Sequence, residues 1–97
     1  MKKFVYLYSG GSTPSSEVEG KEVMAKWVAY FQMLGDVVVD SGNPFGEHKT
    51  AGSASVSKIN GYSVVKAANM DDAVMMAEKC PIVADGGGVE VIETIAM

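Results

Sequence analysis

Residues 3–8 read Lys3-Phe4-Val5-Tyr6-Leu7-Tyr8, and from Phe4 onward the run is apolar or aromatic at every position. A strand with one wet face alternates polar and apolar side chains. A run without alternation, rich in aromatic and β-branched types, reads as a strand buried on both faces. The segment is therefore expected at the centre of a sheet, and the rest of the chain has to supply its neighbours and its covers. Gly10-Gly11 ends the run, and the stretch Ser9-Gly10-Gly11-Ser12-Thr13-Pro14 reads as a loop.

Beyond the loop, Ser16 with Glu19 three residues later forms the pattern of a capping box opening a helix. Met24, Trp27, Val28, Phe31 and Leu34 then recur at helical spacing and predict one apolar stripe, closed by Gly35 as a left-handed cap. Val37-Val38-Val39 reads as a short β-branched strand, and Asp40-Ser41-Gly42-Asn43-Pro44 is dense in turn formers. Ala54-Ser55-Val56-Ser57 is a candidate edge strand. Asn60-Gly61 reads as a tight turn joining it to a strand over Tyr62 to Ala68, the two forming a hairpin. Asn69 and Asp72 cap a second helix, in which Met70, Ala73, Val74 and Ala77 share a face and which Pro81 stops. Asp85-Gly86-Gly87-Gly88 is a turn. The alternation of Val89, Val91, Glu93 and Ile95 against Glu90, Ile92 and Thr94 gives the last strand.

The order strand, helix, strand, hairpin, helix, strand is a split βαβ arrangement. The predicted fold class is thus α+β and ferredoxin-like, with an antiparallel sheet carrying two helices on one face and residues 1–97 forming one domain. Two helices cover one sheet face only, yet the strands carry more apolar residues than one covered face requires. The other face calls for a partner, and a two-fold homodimer packing sheet on sheet is the simplest one, the dimeric α/β barrel.

The 97 residues include 47% hydrophobic ones, enough for a modest core, and a formal charge of −4 from 8 basic and 12 acidic side chains. The lysines are scattered. A phosphate-backbone partner needs them clustered, so no nucleic-acid partner is expected. The run Phe4–Tyr8 is too short for a signal-peptide core or a membrane span, and Cys80 is the only cysteine, which leaves no internal disulfide. A cytoplasmic protein without a membrane partner is the expectation. Cys80, just before Pro81, reads as a small buried hydrophobe. One His and one Cys cannot build a metal centre, and no cofactor is expected.

The residues that could carry chemistry crowd into one turn-rich segment. His48, the sole histidine, is either a general base oriented by Asp40 or Asp85, or a solvated loop side chain between Glu47 and Lys49. Proline fixes the bend at Asn43-Pro44-Phe45, where Asn43 offers a donor and an acceptor. Phe45 offers a flat apolar surface that either walls a pocket or plugs the core. Tyr8, at a strand end beside Gly10-Gly11, is the tyrosine expected to face the same pocket. Asp40 and His48 are the candidate catalytic pair; Asn43, Phe45 and Tyr8 are the candidate ligand contacts. Gly86-Gly87-Gly88 precedes a strand instead of opening a helix, so it reads as a turn and not a phosphate cradle.

Trp27 with Leu34-Gly35-Asp36, then Gly42-Asn43-Pro44-Phe45-Gly46, Gly61-Tyr62-Ser63-Val64, Asp71-Asp72-Ala73, Cys80-Pro81 and Val89-Glu90-Val91 together resemble the YCII-related (DGPF-type) family along nearly the whole chain. The resemblance implies the dimeric α/β-barrel fold. The text nearest to the family's Asp-Gly-Pro-Phe motif is Gly42-Asn43-Pro44-Phe45. Where other members carry a histidine near the first helix with an aspartate partner, this chain has Glu17 to Lys21. Two functions follow as expectations: a small-molecule-binding or lyase-like enzyme using Asp40 or His48, or a non-catalytic ligand-sensing or accessory dimerisation domain.

Overall fold

The central run forms β1, Lys2–Ser9, and it is paired along both edges. The computed structural model describes residues 1–11, 13–53 and 58–97, so the candidate edge strand Ala54-Ser55-Val56-Ser57 lies outside the described residues. The elements that follow β1 are α1 (Glu17–Leu34), a 3₁₀ turn over Gly35–Val37, β2 (Val38–Asp40), β3 (Gly61–Ala67), α2 (Met70–Glu78), α3 (Pro81–Ala84) and β4 (Gly88–Glu93). The sheet has the order β2-β3-β1-β4, antiparallel at every pairing. Each helical crossover thus joins two strands with a third between them, which is the ferredoxin-like split βαβ fold.

Register assigns every side chain of the sheet to a face. Tyr6 stands between Ser63 of β3 and Val91 of β4, and Phe4 and Tyr8 point the same way one pleat to either side. These residues, with Val65 and Ala67, meet the helices and are buried. Trp27, Tyr30, Phe31 and Leu34 of α1 and Ala73, Ala77 and Met76 of α2 close the core over them. The Tyr6 hydroxyl donates to the Ala73 carbonyl and the Tyr30 hydroxyl donates to the Met76 carbonyl at 2.8 Å, so two core tyrosines tie α2 to the sheet and to α1. On the other face Val64, Val5 and Ile92 form one straight row across three strands, and Tyr62, Leu7 and Glu90 form the next. Ile92 remains 41% exposed.

Local signals set the helix starts. Ser16 Oγ accepts from the Glu19 N–H at 3.1 Å, and Asn69 Oδ1 accepts from the Asp72 N–H at 2.8 Å. The Glu19 carboxylate does not return to Ser16; it accepts from the Ser15 hydroxyl at 2.6 Å, which holds it below the usual carboxylate range. Gly35 has φ 64° and ψ −130°, and its N–H donates to the Phe31 carbonyl. The positive φ matches the expected cap, but the ψ does not belong to the left-handed helix. It is a mirror-image extended conformation open only to glycine, and it sends the chain into the 3₁₀ turn that takes up Val37.

Four expectations need correction. The inward stripe of α1 is Trp27, Tyr30, Phe31 and Leu34, while Met24 and Val28 are 65% and 49% exposed. The helix turns so that Tyr30, amphipathic and overlooked by a count of purely apolar residues, can place its ring in the core and its hydroxyl on α2. Asn60-Gly61 makes no tight turn: neither residue has a positive φ, and Gly61 already belongs to β3. Asn60 instead donates to the Tyr8 carbonyl through its backbone and to the Gly10 carbonyl through its side chain, stitching two loops together. Pro81 does more than stop α2, since it occupies the first turn of α3, where its missing N–H costs nothing. The last strand ends at Glu93, leaving Ile95 84% exposed beyond it.

Gly35→Ala is expected to destabilise the chain by about 1 kcal/mol or more, because alanine cannot hold that backbone conformation without strain; the measurement is the shift in denaturation midpoint. A second outcome concerns pH. Burial pushes the Cys80 thiol, ordinarily near 9.0, up to about 11, and the Tyr6 hydroxyl, ordinarily near 10.0, up to about 12. The folded state therefore holds these protons where the unfolded chain releases them. Stability is fully present below pH 9 and declines as pH rises through 11 and 12. Cys80→Ala should flatten the lower part of that decline in a series of thermal melts.

Candidate functional site

The segment that carries the candidate residues begins with a slip in register. Val38 pairs with Val65, but Asp40 pairs with Val64, so β2 spends one extra residue, Val39, in a bulge. In an unbroken register Asp40 would stand opposite Ser63 and face the helices. The bulge turns it to the opposite face instead, where Asp40 Oδ2 accepts from the Tyr62 hydroxyl at 3.2 Å. Asp40 Oδ1 accepts from the Gly42 N–H at 2.8 Å and turns the chain back on itself.

Gly42 is the tightest point of the turn. Its φ is 77°, and a Cβ there would lie 1.7 Å from the Tyr62 carbonyl oxygen. From the helix side, the Ser41 carbonyl accepts from the Ser63 hydroxyl at 2.6 Å, and Ser63 in turn accepts from the Tyr8 hydroxyl at 2.8 Å. Ser63 is fully buried, so this relay satisfies it completely. The chain then runs on beside β3: the Asn43 carbonyl accepts from the Tyr62 N–H, Pro44 bridges to Gly61, and the Phe45 N–H donates to the Asn60 carbonyl at 2.7 Å. With its backbone fixed in this way, Phe45 lays its ring over Tyr62, centroids 5.7 Å apart and planes 19° from parallel.

Asp40 and Phe45 are thus brought together through a residue that the sequence did not single out, Tyr62. Its signal was the alternation Tyr62, Val64, Lys66 against Ser63, Val65, Ala67, which marks it as facing away from the core. Phe45 is no core plug, being 46% exposed on the open face. Asn43 sits in the same turn with its side chain exposed. Tyr8 lies on the other side of the sheet, buried, with its ring edge-on to Trp27 at 4.9 Å. Burial raises its hydroxyl well above the ordinary tyrosine range. His48 is exposed and has no hydrogen-bond or ion-pair partner among the described residues. Asp40, Asn43 and Phe45 therefore form an open ledge, and grooves of about 350 and 310 Å³ lie elsewhere on the chain. Among the described residues no group of three or more His, Cys, Asp or Glu is placed to hold a metal ion. No helix among them is long and apolar enough to cross a membrane.

Neither family profiles nor curated proteins give a match to this chain. Among solved structures it is similar to 5-chloro-2-hydroxyhydroquinone dehydrochlorinase from Burkholderia phenoliruptrix AC1100, determined in complex with 2,5-dihydroxybenzoquinone. The TM-score is 0.55 with 18% identity, covering 97% of this chain and 93% of that one. At this identity the likeness is one of fold, and it bears out the α+β architecture reached above from strand order and burial.

Gly42→Ala is expected to cost about 3 kcal/mol, since a methyl group would meet a backbone carbonyl that cannot move without breaking the β2–β3 pairing. Chemical denaturation reads this directly. A variant as stable as the parent would show that the turn is not held as described.

Proposed function

We propose that the chain is a homodimeric small-molecule-binding protein of YCII-related, dimeric α/β-barrel type. Its ligand lies on the ledge of Asp40, Asn43 and Phe45 with Tyr62, and the sheet of a second copy covers it. The observation that carries this reading is the Asp40–Tyr62–Phe45 cluster itself. A carboxylate and a phenol are hydrogen-bonded beside two stacked rings, on the sheet face whose apolar rows have no helix over them. Packing two such faces about a two-fold axis would bury Val5, Leu7, Val64 and Ile92 against their own copies and roof the ledge at the same time.

The chemistry of the ledge favours a planar, hydroxylated or carboxylated ring. Phe45 supplies a flat surface with one ring face already backed by Tyr62, Asp40 accepts a hydroxyl proton, and the Asn43 amide can donate or accept. Tyr8 takes part from behind, through Ser63 and the Ser41 carbonyl, by holding the turn in place. A non-catalytic role fits His48 best, because no carboxylate orients its imidazole among the described residues. The Asp40–Tyr62 contact favours one alternative, a lyase-like enzyme in which Asp40 takes a proton from a bound ring hydroxyl. That a fold neighbour is an enzyme agrees with this alternative without supplying its substrate.

Light scattering at micromolar concentration should give twice the mass of the chain. A thermal-shift panel of hydroxybenzoates and dihydroxybenzoquinones should contain compounds that raise the melting temperature, with the effect lost in Phe45→Ala. Chromatography of the same incubations separates the two roles: unchanged compound supports binding alone, and product that disappears in Asp40→Asn supports the enzyme. A monomer that no compound stabilises would overturn the proposal.

A further inference from the structure

The two edges of the sheet are built differently. β2 has only three residues, is broken by the bulge between Val38 and Asp40, and continues into Pro44, which has no N–H to offer. Bulges, prolines and short length are the usual means of making a strand edge unfit for a new partner. β4 carries none of them. It runs straight through Gly88-Val89-Glu90-Val91-Ile92-Glu93, and among the described residues it pairs only with β1 and no backbone bond crosses its outer edge. Such an edge is a ready template for another strand.

Beside that edge lies the groove of about 350 Å³, between β4 and the helices α2 and α3. Val74, Ala77, Val83, Val89 and Val91 make it apolar, and Val83 at its mouth is 38% exposed. Glu78 stands at its rim, and Glu90 lines it through the strand while its side chain is directed to the open face; neither has an ion-pair partner among the described residues. We infer that the outer edge of β4, with this groove, is a docking site for an extended peptide of alternating aliphatic and basic residues, which adds to the sheet as a fifth strand. This goes beyond the ledge described above, which lies at the other edge of the sheet.

Geometry and charge together select that occupant. Side chains of an added strand alternate in direction. Those beside Val89 and Val91 enter the groove, and so are aliphatic. Those beside Glu90 and Ile92 emerge on the open face, where the Glu90 carboxylate, without an ion-pair partner among the described residues, calls for lysine or arginine. A second copy of this chain is a poorer occupant, because pairing β4 with β4 about a two-fold axis sets the Glu90 carboxylates of both copies on the same face of one strip, where like charges repel, while Glu93 is already engaged by Lys2 at 3.6 Å. Its C-terminal segment Thr94-Ile95-Ala96-Met97 has no basic residue to offer Glu78 or Glu90.

The probe is a capped heptapeptide alternating valine and lysine, with a glutamate-for-lysine version as its control, added to the full chain at physiological salt. Amide NMR should show shifts concentrated at Val89 to Glu93 and slowed hydrogen exchange along β4 with the lysine peptide, and neither with the glutamate peptide. Glu90→Lys, at an exposed position, should weaken binding several-fold, and Val83→Asp should abolish it. The inference is overturned if the lysine peptide leaves β4 unperturbed, or if the glutamate peptide binds equally well. It is also overturned if β4 amides become protected with rising protein concentration and no peptide, since a second copy then occupies the edge. These outcomes involve neither Asp40 nor Phe45, so they stand apart from the fate of the ledge proposal.

Discussion

Everything in this chain hangs on the pairing of β1 along both of its edges. A strand buried between two others must satisfy every backbone N–H and C=O through its neighbours, because no water reaches them. β3 and β4, both from the second half of the chain, do this on its two edges, Lys2 to Tyr8 pairing with Gly61 to Ala67 and Phe4 to Ser9 with Gly88 to Glu93. The connections are then forced. Each of β3 and β4 runs antiparallel to β1, so the helices must cross over, and both land on the face that carries Phe4, Tyr6 and Tyr8.

That face is built from tyrosines as much as from aliphatic residues, which has a consequence for specificity. Leucine in place of Tyr6 or Tyr30 could fill a similar space, but it could not bind the Ala73 or Met76 carbonyl. Each hydroxyl fixes one height of α2 over the sheet, since a buried phenol left without an acceptor costs about 1 to 3 kcal/mol. Tyr8 plays the same part at the other end. Through Ser63 its hydroxyl reaches the Ser41 carbonyl and so determines the turn on the opposite side of β3. The core and the ledge are therefore joined by one short line of hydrogen bonds running past the edge of the sheet.

The two sheet edges divide the molecule's surface between them. At the β2 edge, irregularity is put to use: the bulge re-aims Asp40, Gly42 lets the chain press against the Tyr62 carbonyl, and Pro44 closes the ladder. At the β4 edge the strand stays regular, and an apolar groove with Glu78 at its rim runs along it. Between them the open face carries an aliphatic band of Val5, Val64 and Ile92.

Much of this was legible in the residues alone. The unalternating run at Phe4 to Tyr8 marked the central strand, Ser16 and Asn69 marked the helix starts, and Gly35 marked a positive φ, because each depends on neighbours within a few positions. The order of those elements was enough for the ferredoxin-like fold. The candidate site was legible only as a neighbourhood. Asp40 and Phe45 were singled out as neighbours in a turn-rich segment, but Tyr62, which contacts both, stands some twenty positions away, and the facing of Asp40 depends on one bulged residue in β2. Tyr8 was expected to face the same pocket, whereas its ring lies on the helix-covered face and its hydroxyl donates to Ser63, and Asn60-Gly61 had the composition of a tight turn but lies where β3 begins. The limit is physical. Periodicity and capping are short-range properties that a sequence displays directly, whereas strand register, the rotation of α1 and the face reached by a side chain are decided by contacts between distant segments, and they exist only once the sheet has closed.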